Sequence, residues 1–200
     1  MIAIFDYGAG NLRSVENTLD ALGVSYEIVR ESGGLARADR IILPGVGHFG
    51  QLVRSLDALG VRQTLKERIA AGVPFLGICL GLHLLFEKSE EAPELRGLGI
   101  YPGEVKRFAA EARVPQMGWN QLEPRGQPKL LAGLEEHPYV YFAHSYYVPA
   151  EAAGERAAAY SVYGVRYTSA LESDNVYAVQ FHPEKSGAAG QRIMRNFLEC

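Results

Sequence analysis

Apolar and polar positions follow two rhythms along the chain. In the first half, short runs of Val, Ile and Leu precede stretches in which apolar residues recur every three or four positions, the repeat of one helix face. Ile2–Phe5 reads as a strand that Gly8-Ala-Gly10 ends, and Leu12, Val15, Leu19 and Leu22 read as a helix stopped at Gly23. Residues 24–29 predict a second strand, and residues 40–43 a third, stopped by Pro44-Gly45. Leu52, Leu56 and Leu59 mark one helix, and Val61, Leu65 and Ile69 another, closed by Gly72. Residues 73–79 form an apolar strand, and Leu82, Leu85 and Phe86 place a helix directly after it. Strands alternating with helices imply parallel pairing in a sheet covered on both faces.

The second half is different. Residues 99–180 show short strands and turns, of which residues 140–148 and 176–181 are the clearest, rich in the aromatic and β-branched residues that suit a pleated surface. Residues 191–198 read as a final helix. The acidic stretch 87–94 reads as a solvated loop, and no repeat or linker interrupts the chain. The expected class is therefore α/β, a mostly parallel sheet with helices on both faces and extra short antiparallel strands in the second half, as one domain over 1–200.

Composition narrows the functions rather than the fold. At 200 residues with 48% hydrophobic and 22% charged residues, the chain matches ordinary globular domains. Twenty basic against 23 acidic residues lack the basic excess of a nucleic-acid footprint. No apolar run reaches 18 residues, and the start lacks a basic leader, so no membrane span or signal peptide is expected and the cytoplasm is the expected setting. Two cysteines, Cys79 and Cys200, fit free thiols, and no Cys/His spacing suits a metal. Cys200 reads as an incidental exposed thiol.

The sharpest chemical signal is Gly77-Ile-Cys-Leu-Gly81, between an apolar strand and a helix. This is the glycine-flanked nucleophile turn, with Cys in the reactive place. Such a turn leaves no room for flanking side chains and sets the sulfur at a helix N-terminus, where unpaired N–H groups favour the thiolate. A Cys nucleophile needs a base and the base an orienter. His182-Pro-Glu184 follows a strand, and extended backbone puts residues two apart on one side, so Glu184 reaches the imidazole. Cys79, His182 and Glu184 are the expected catalytic triad. Acyl transfer also needs N–H donors aimed at the developing oxyanion. Leu80 would supply one, and a peptide N–H within Gly45 to Gly47, in Pro44-Gly-Val-Gly47, the second.

These motifs, with Asp6-Tyr-Gly-Ala-Gly-Asn-Leu12, Met117-Gly-Trp-Asn120, His144-Ser-Tyr-Tyr147 and Phe181-His-Pro-Glu-Lys-Ser186, give the chain a resemblance. It is similar to the triad-type (class I) glutamine amidotransferases, and within them to the glutaminase subunits of imidazole glycerol phosphate synthase. The resemblance covers nearly the whole chain. It implies a flavodoxin-like fold, hydrolysis of glutamine to glutamate and ammonia through a Cys79 thioester, and no cofactor. It implies that Val46, Gly47, Leu80, His83, His144, Ser145 and Tyr146 form the oxyanion and substrate pocket. His83 departs from the family pattern, in which Gln usually stands at this position and contacts glutamine.

The resemblance further implies a (β/α)8-barrel cyclase subunit as heterodimer partner, with Trp119, Tyr141 and Lys185 near the interface. A physical argument points the same way: ammonia released into neutral water is mostly protonated and no longer nucleophilic, so transfer needs a shielded route. Tyr139, Tyr141, Tyr146, Tyr147 and Trp119 are candidates for a docking face. Two other readings stay open here. One is a class I subunit serving another acceptor, against which Met-Gly-Trp-Asn and Pro-Gly-Val-Gly argue. The other is a non-catalytic protein with a reactive Cys on a similar fold, for which the His-Pro-Glu pair is unnecessary.

Overall fold

Strand alternation sorts the apolar residues of the first half onto two faces. Ala3 and Phe5, Ile41 and Leu43, Phe75, and Val176 and Ala178 belong to one apolar cluster. Their intervening neighbours Ile4, Ile42, Leu76, Ile78, Tyr177 and Val179 belong to the other. A sheet with both surfaces this apolar must be covered twice. The computed structural model, which describes residues 1–8 and 12–200, shows how. Ala9, Gly10 and Asn11, within the motif from Asp6 to Leu12, lie outside the described residues.

The elements in chain order are β1 (Ile2–Phe5), α1 (Leu12–Ala21), β2 (Tyr26–Val29), α2 (Ser32–Ala36), β3 (Arg40–Gly45), α3 (Phe49–Ala58), α4 (Arg62–Ala70), β4 (Phe75–Cys79) and α5 (Leu80–Leu84). There follow β5 (Phe86–Ser89), β6 (Tyr101–Arg107), β7 (Gln116–Gln121), β8 (Glu123–Pro124), β9 (Tyr139–His144), β10 (Tyr146–Pro149) and α6 (Ala150–Ala153). The last are β11 (Ala157–Tyr163), β12 (Val165–Ser173), β13 (Val176–Val179) and α7 (Gly187–Glu199). Five strands pair in parallel in the order β2-β1-β3-β4-β13, the flavodoxin-like arrangement. The sheet continues through antiparallel β12 and β10 to β6 and β5. Leu35, Leu52, Leu56, Leu65 and Ile69 of α2–α4 cover one face; Val15 and Leu19 of α1 and Ile193, Met194 and Phe197 of α7 cover the other. Among the described residues no helix is long and apolar enough to cross a membrane.

Several expectations need correction, each for a local reason. Strand β3 does not stop at Leu43; Pro44 and Gly45 stay in register with Ile78 and Cys79, which carries the Pro-Gly-Val-Gly segment alongside the nucleophile turn. The helix after Cys79 ends at Leu84, and Phe86 opens a strand instead. The Leu84 and Leu85 carbonyls accept N–H groups from Leu98, Ile100 and Tyr101, so this segment takes the place of a further helical turn. The acidic stretch 87–94 is not a solvated loop: Ser89 and Ala92 are buried, β5 pairs with β6, and Glu91 accepts from the Phe49 N–H at 2.7 Å. Residues 140–148 form two strands, because the chain leaves the β7 partnership after His144 and joins β6 and β12 from Tyr146 on. Helix α2 has no sequence signal in Ser-Gly-Gly. Gly34 there lies so close to Val29 that an added Cβ would sit 2.7 Å from it, and Leu35 is fully buried. Cys200 is half-buried, its Sγ 3.1 Å from the Asn196 carbonyl, rather than freely exposed.

Candidate active site

The turn from β4 into α5 is as tight as its glycines suggested. A Cβ on Gly77 would lie 2.6 Å from the Gly81 carbonyl oxygen, and one on Gly81 would lie 2.4 Å from that of Leu43. Backbone therefore packs on backbone on both sides of Cys79. Cys79 itself adopts φ 54°, a left-handed conformation that costs a side-chain-bearing residue of order 1–3 kcal/mol. What that strain achieves is position: the sulfur stands at the C-terminal end of a central strand, lining a pocket of about 290 Å³.

His182 arrives from the neighbouring strand β13. Its backbone is extended, but Pro183–Lys185 forms a single 3-10 turn rather than the expected extended continuation. The turn still brings Glu184 back, and Nδ1 of His182 donates to Glu184 Oε1 at 2.8 Å with both side chains nearly solvent-free. Burial disfavours the imidazolium. Against it act the charge and hydrogen bond of the Cys79 sulfur, and then those of the Glu184 carboxylate, and the balance pushes the His182 pKa up to about 10. Cys79, His182 and Glu184 thus stand together at the mouths of adjacent parallel strands, with the His182 imidazole between the sulfur and the carboxyl group.

The pocket is walled by Gly45, Val46, Gly47, Leu80, His83, Ala143, His144, Ser145 and Tyr146 around Cys79 and His182. All seven residues expected to bind the oxyanion or substrate therefore border it. Their chemical freedom differs. The Val46 N–H donates to the Tyr7 hydroxyl at 3.1 Å, and that hydroxyl donates to the Val46 carbonyl at 2.9 Å, so both polar groups of Val46 are engaged. Gly47 has φ 99°, which a side chain would strain. His144 presents Nδ1 to the Tyr146 carbonyl at 2.7 Å and Nε2 to the Gln116 side-chain amide at 3.0 Å. Burial holds its pKa down to about 3, so it is a neutral, internally bonded wall. Burial likewise holds His83 at about 4, with Nε2 2.7 Å from Gln180 Oε1 and Nδ1 buried without a partner. Among the described residues no group of three His, Cys, Asp or Glu side chains could hold a metal ion.

A family model described as "Glutamine amidotransferase class-I" matches residues 3–200. This chain belongs to the class-I glutamine amidotransferases. It is 48% identical over 199 residues to the imidazole glycerol phosphate synthase subunit HisH of Methanothermobacter thermautotrophicus, covering 100% of this chain and 98% of that protein. It is 42% identical over 201 residues to the protein of the same name from Chlorobium luteolum, covering 100% of each. A crystal structure of a glutamine amidotransferase superposes with a TM-score of 0.77 at 23% identity, over 99% of this chain and 97% of that one, a likeness of fold.

In this amidotransferase the three residues expected near an interface lie together beside the pocket. Trp119 stands edge-on to Tyr141 with ring centroids 6.2 Å apart, and Lys185 Nζ is 5.8 Å from the Tyr141 ring centre. Met117, Trp119 and Tyr139, on the outward side of β7 and β9, are 67%, 56% and 56% exposed. Tyr147 does not share this face; it stacks on Phe108 at 4.7 Å. Sequence reasoning gave no role to Tyr7, Glu91 or Gln180. Tyr7 sat inside a quoted motif without a partner to point to. Glu91 gave no signal, since its target, the Phe49 N–H, is 42 residues away. Gln180 could have been found from the two-residue spacing to His182.

Proposed function

We propose that this amidotransferase is the glutaminase subunit of an imidazole glycerol phosphate synthase, residues 1–200 acting as one catalytic domain. Glutamine enters the pocket and the Cys79 thiolate attacks its side-chain carbonyl. The Leu80 N–H at the start of α5 and a peptide of the Gly45–Gly47 segment face the developing oxyanion. The observation that carries the reading is the buried Cys79–His182–Glu184 unit, whose charges are mutually dependent. The sulfur charge contributes most to holding the proton on His182. Once the sulfur acylates, that charge is gone and the imidazolium becomes a stronger acid, at the moment the leaving ammonia needs a proton. The neutral His182 then removes a proton from water, which attacks the thioester and releases glutamate. Glu184 keeps Nδ1 protonated, so that Nε2 does the exchanging in both halves.

The acceptor is a (β/α)8-barrel cyclase subunit that docks on the outward face of β7 and β9. In support, Met117 and Ala143 of this face also line the pocket, so a partner seated there closes the route by which ammonia would otherwise meet water. Exposed Trp and Tyr with a neighbouring cation are the residue types that anchor interfaces. The test is ammonia release from glutamine, with and without the cyclase and its nucleotide. Cys79→Ala should abolish it in both settings; persistence of hydrolysis in that variant would refute the triad. Stimulation by a different acceptor enzyme but not by the cyclase would refute the choice of partner.

A further inference from the structure

Gln180, directly after β13, is completely buried and touches the nucleophile. Its Nε2 donates to Cys79 Sγ at 3.6 Å, and its Oε1 lies 2.7 Å from His83 Nε2. The triad reading leaves both contacts without a task. Which end of the amide faces the sulfur is decided by His83. Kept neutral by burial, this ring has one N–H to give. Placed on Nε2, that proton satisfies Gln180 Oε1 and turns the amide N–H toward the sulfur. The opposite arrangement would bury His83 Nδ1 as an N–H with nothing to receive it, and would turn a carbonyl oxygen toward a thiolate. A bare buried acceptor is the lesser defect, and Nδ1 is the unpartnered atom.

We infer that Gln180 is a catalytic residue whose side-chain N–H holds the Cys79 sulfur as the thiolate, and that His83 is the positioning residue that aims this amide. The inference rests on Cys79 being the nucleophile. It gives the site a neutral donor to the sulfur beside the charged one, His182. The other titratable groups around Cys79 are His182 backed by Glu184, His144 on β9, and Tyr7, whose pKa burial pushes up to about 12. Glu91 and Lys185 line the same pocket. Gln180, itself uncharged, bridges Cys79 and His83. A hydrogen bond to the charged form of an acid lowers its pKa, so removing this donor moves thiolate formation to higher pH.

The experiment is iodoacetamide alkylation of the full chain from about pH 3.5 to pH 10, a span that takes in ordinary and perturbed thiols, with peptide mass spectrometry separating Cys79 from Cys200. No glutamine is present, so the readout is independent of hydrolysis; failure of the triad reading would show instead as glutamine turnover surviving Cys79→Ala. Gln180→Leu should raise the alkylation midpoint by about one pH unit, a tenfold lower rate on the acid side. His83→Leu should shift it the same way by less, and His83→Gln, whose amide can donate to Gln180 Oε1, should restore the parent profile. Circular dichroism establishes which variants fold; should Gln180→Leu fail to, the two His83 variants decide. An unchanged midpoint in folded Gln180→Leu, or a His83→Gln profile matching His83→Leu, overturns the inference.

Discussion

Replacing Glu184 by glutamine separates what the carboxylate does for catalysis from what it does for stability. Glu184 is nearly solvent-free; Oε1 accepts from His182 Nδ1 at 2.8 Å, while Oε2 is buried with no partner. A hydrogen bond to a charged group contributes roughly 1.5–3 kcal/mol, against about 1 kcal/mol for the neutral bond that the substituted amide would retain. The loss of imidazolium stabilisation is then about 1–2 kcal/mol. This agrees in rank with the order of influences on His182, where Cys79 outweighs Glu184. At about 1.36 kcal/mol per tenfold, kcat should fall about five- to thirtyfold. The sign of the pH effect follows from the raised His182 pKa. The proton is held in the fold up to about pH 10, well above its ordinary 6.5, and is lost above it. Without the carboxylate charge it is lost sooner, so the alkaline limb of kcat/KM moves down by about one pH unit. Stability should not fall with activity, because the substitution also removes a desolvated charge whose second oxygen has no partner. Glutamine turnover across pH, with urea unfolding of the same variant, checks both. A turnover unchanged within about twofold, or a loss of several kcal/mol in stability, would refute the reasoning.

Acid should weaken the fold through His83 and His144, held near pKa 4 and 3 by burial. Their contribution is complete above the ordinary value of 6.5 and is lost as pH falls toward those values. Each should therefore remove about 2 kcal/mol by about pH 5, and His83→Gln should lower the slope of unfolding free energy against pH by about one proton. Gly81→Ala should destabilise by about 2–3 kcal/mol and lower turnover, because its Cβ would meet the Leu43 carbonyl oxygen at 2.4 Å; parent-like unfolding in urea would contradict this. The isolated chain should turn over glutamine slowly, since Tyr7 occupies the Val46 N–H and one oxyanion donor is worth about 10²–10³ in kcat. Nucleotide-loaded cyclase should raise the rate, and equal rates with and without it would sink this account. Trp119→Ala should lower only the cyclase-dependent rate, with basal turnover as the control.

The first half of the fold was readable because its strands are short, apolar and followed at once by helical periodicity. β1 and the apolar faces of α1 and α4 appear where the spacing puts them, as do Leu52 and Leu56 of α3, whereas Leu59 lies past the end of that helix and is exposed. Reading failed where tertiary contacts override local signals. Leu82, Leu85 and Phe86 keep a helical spacing, yet Leu98, Ile100 and Tyr101 capture the backbone at Leu84 and Leu85. The acidic stretch reads as solvated only if one overlooks that a carboxylate can serve a distant N–H, as Glu91 does. At the site, glycine spacing and the His-Pro-Glu string pointed to residues the fold brings together. What no string contains is which N–H is already spoken for: Tyr7 on Val46, or His83 on Gln180, is visible only once β1, β3, β4 and β13 lie side by side.

The attachment of β9 to the His182 turn has a mechanical consequence. His182 N–H donates to the Tyr141 carbonyl, Tyr141 N–H donates to Ser186 Oγ, and that hydroxyl donates to the His182 carbonyl, at 2.9, 3.0 and 2.7 Å. Three bonds close a brace between the outer surface and the proposed general base, His182. A displacement of Tyr141 would therefore reach, through these bonds, the backbone turn that carries the imidazole. In the proposed complex, a protein that grips this surface would hold the trigger of the chemistry along with its exit.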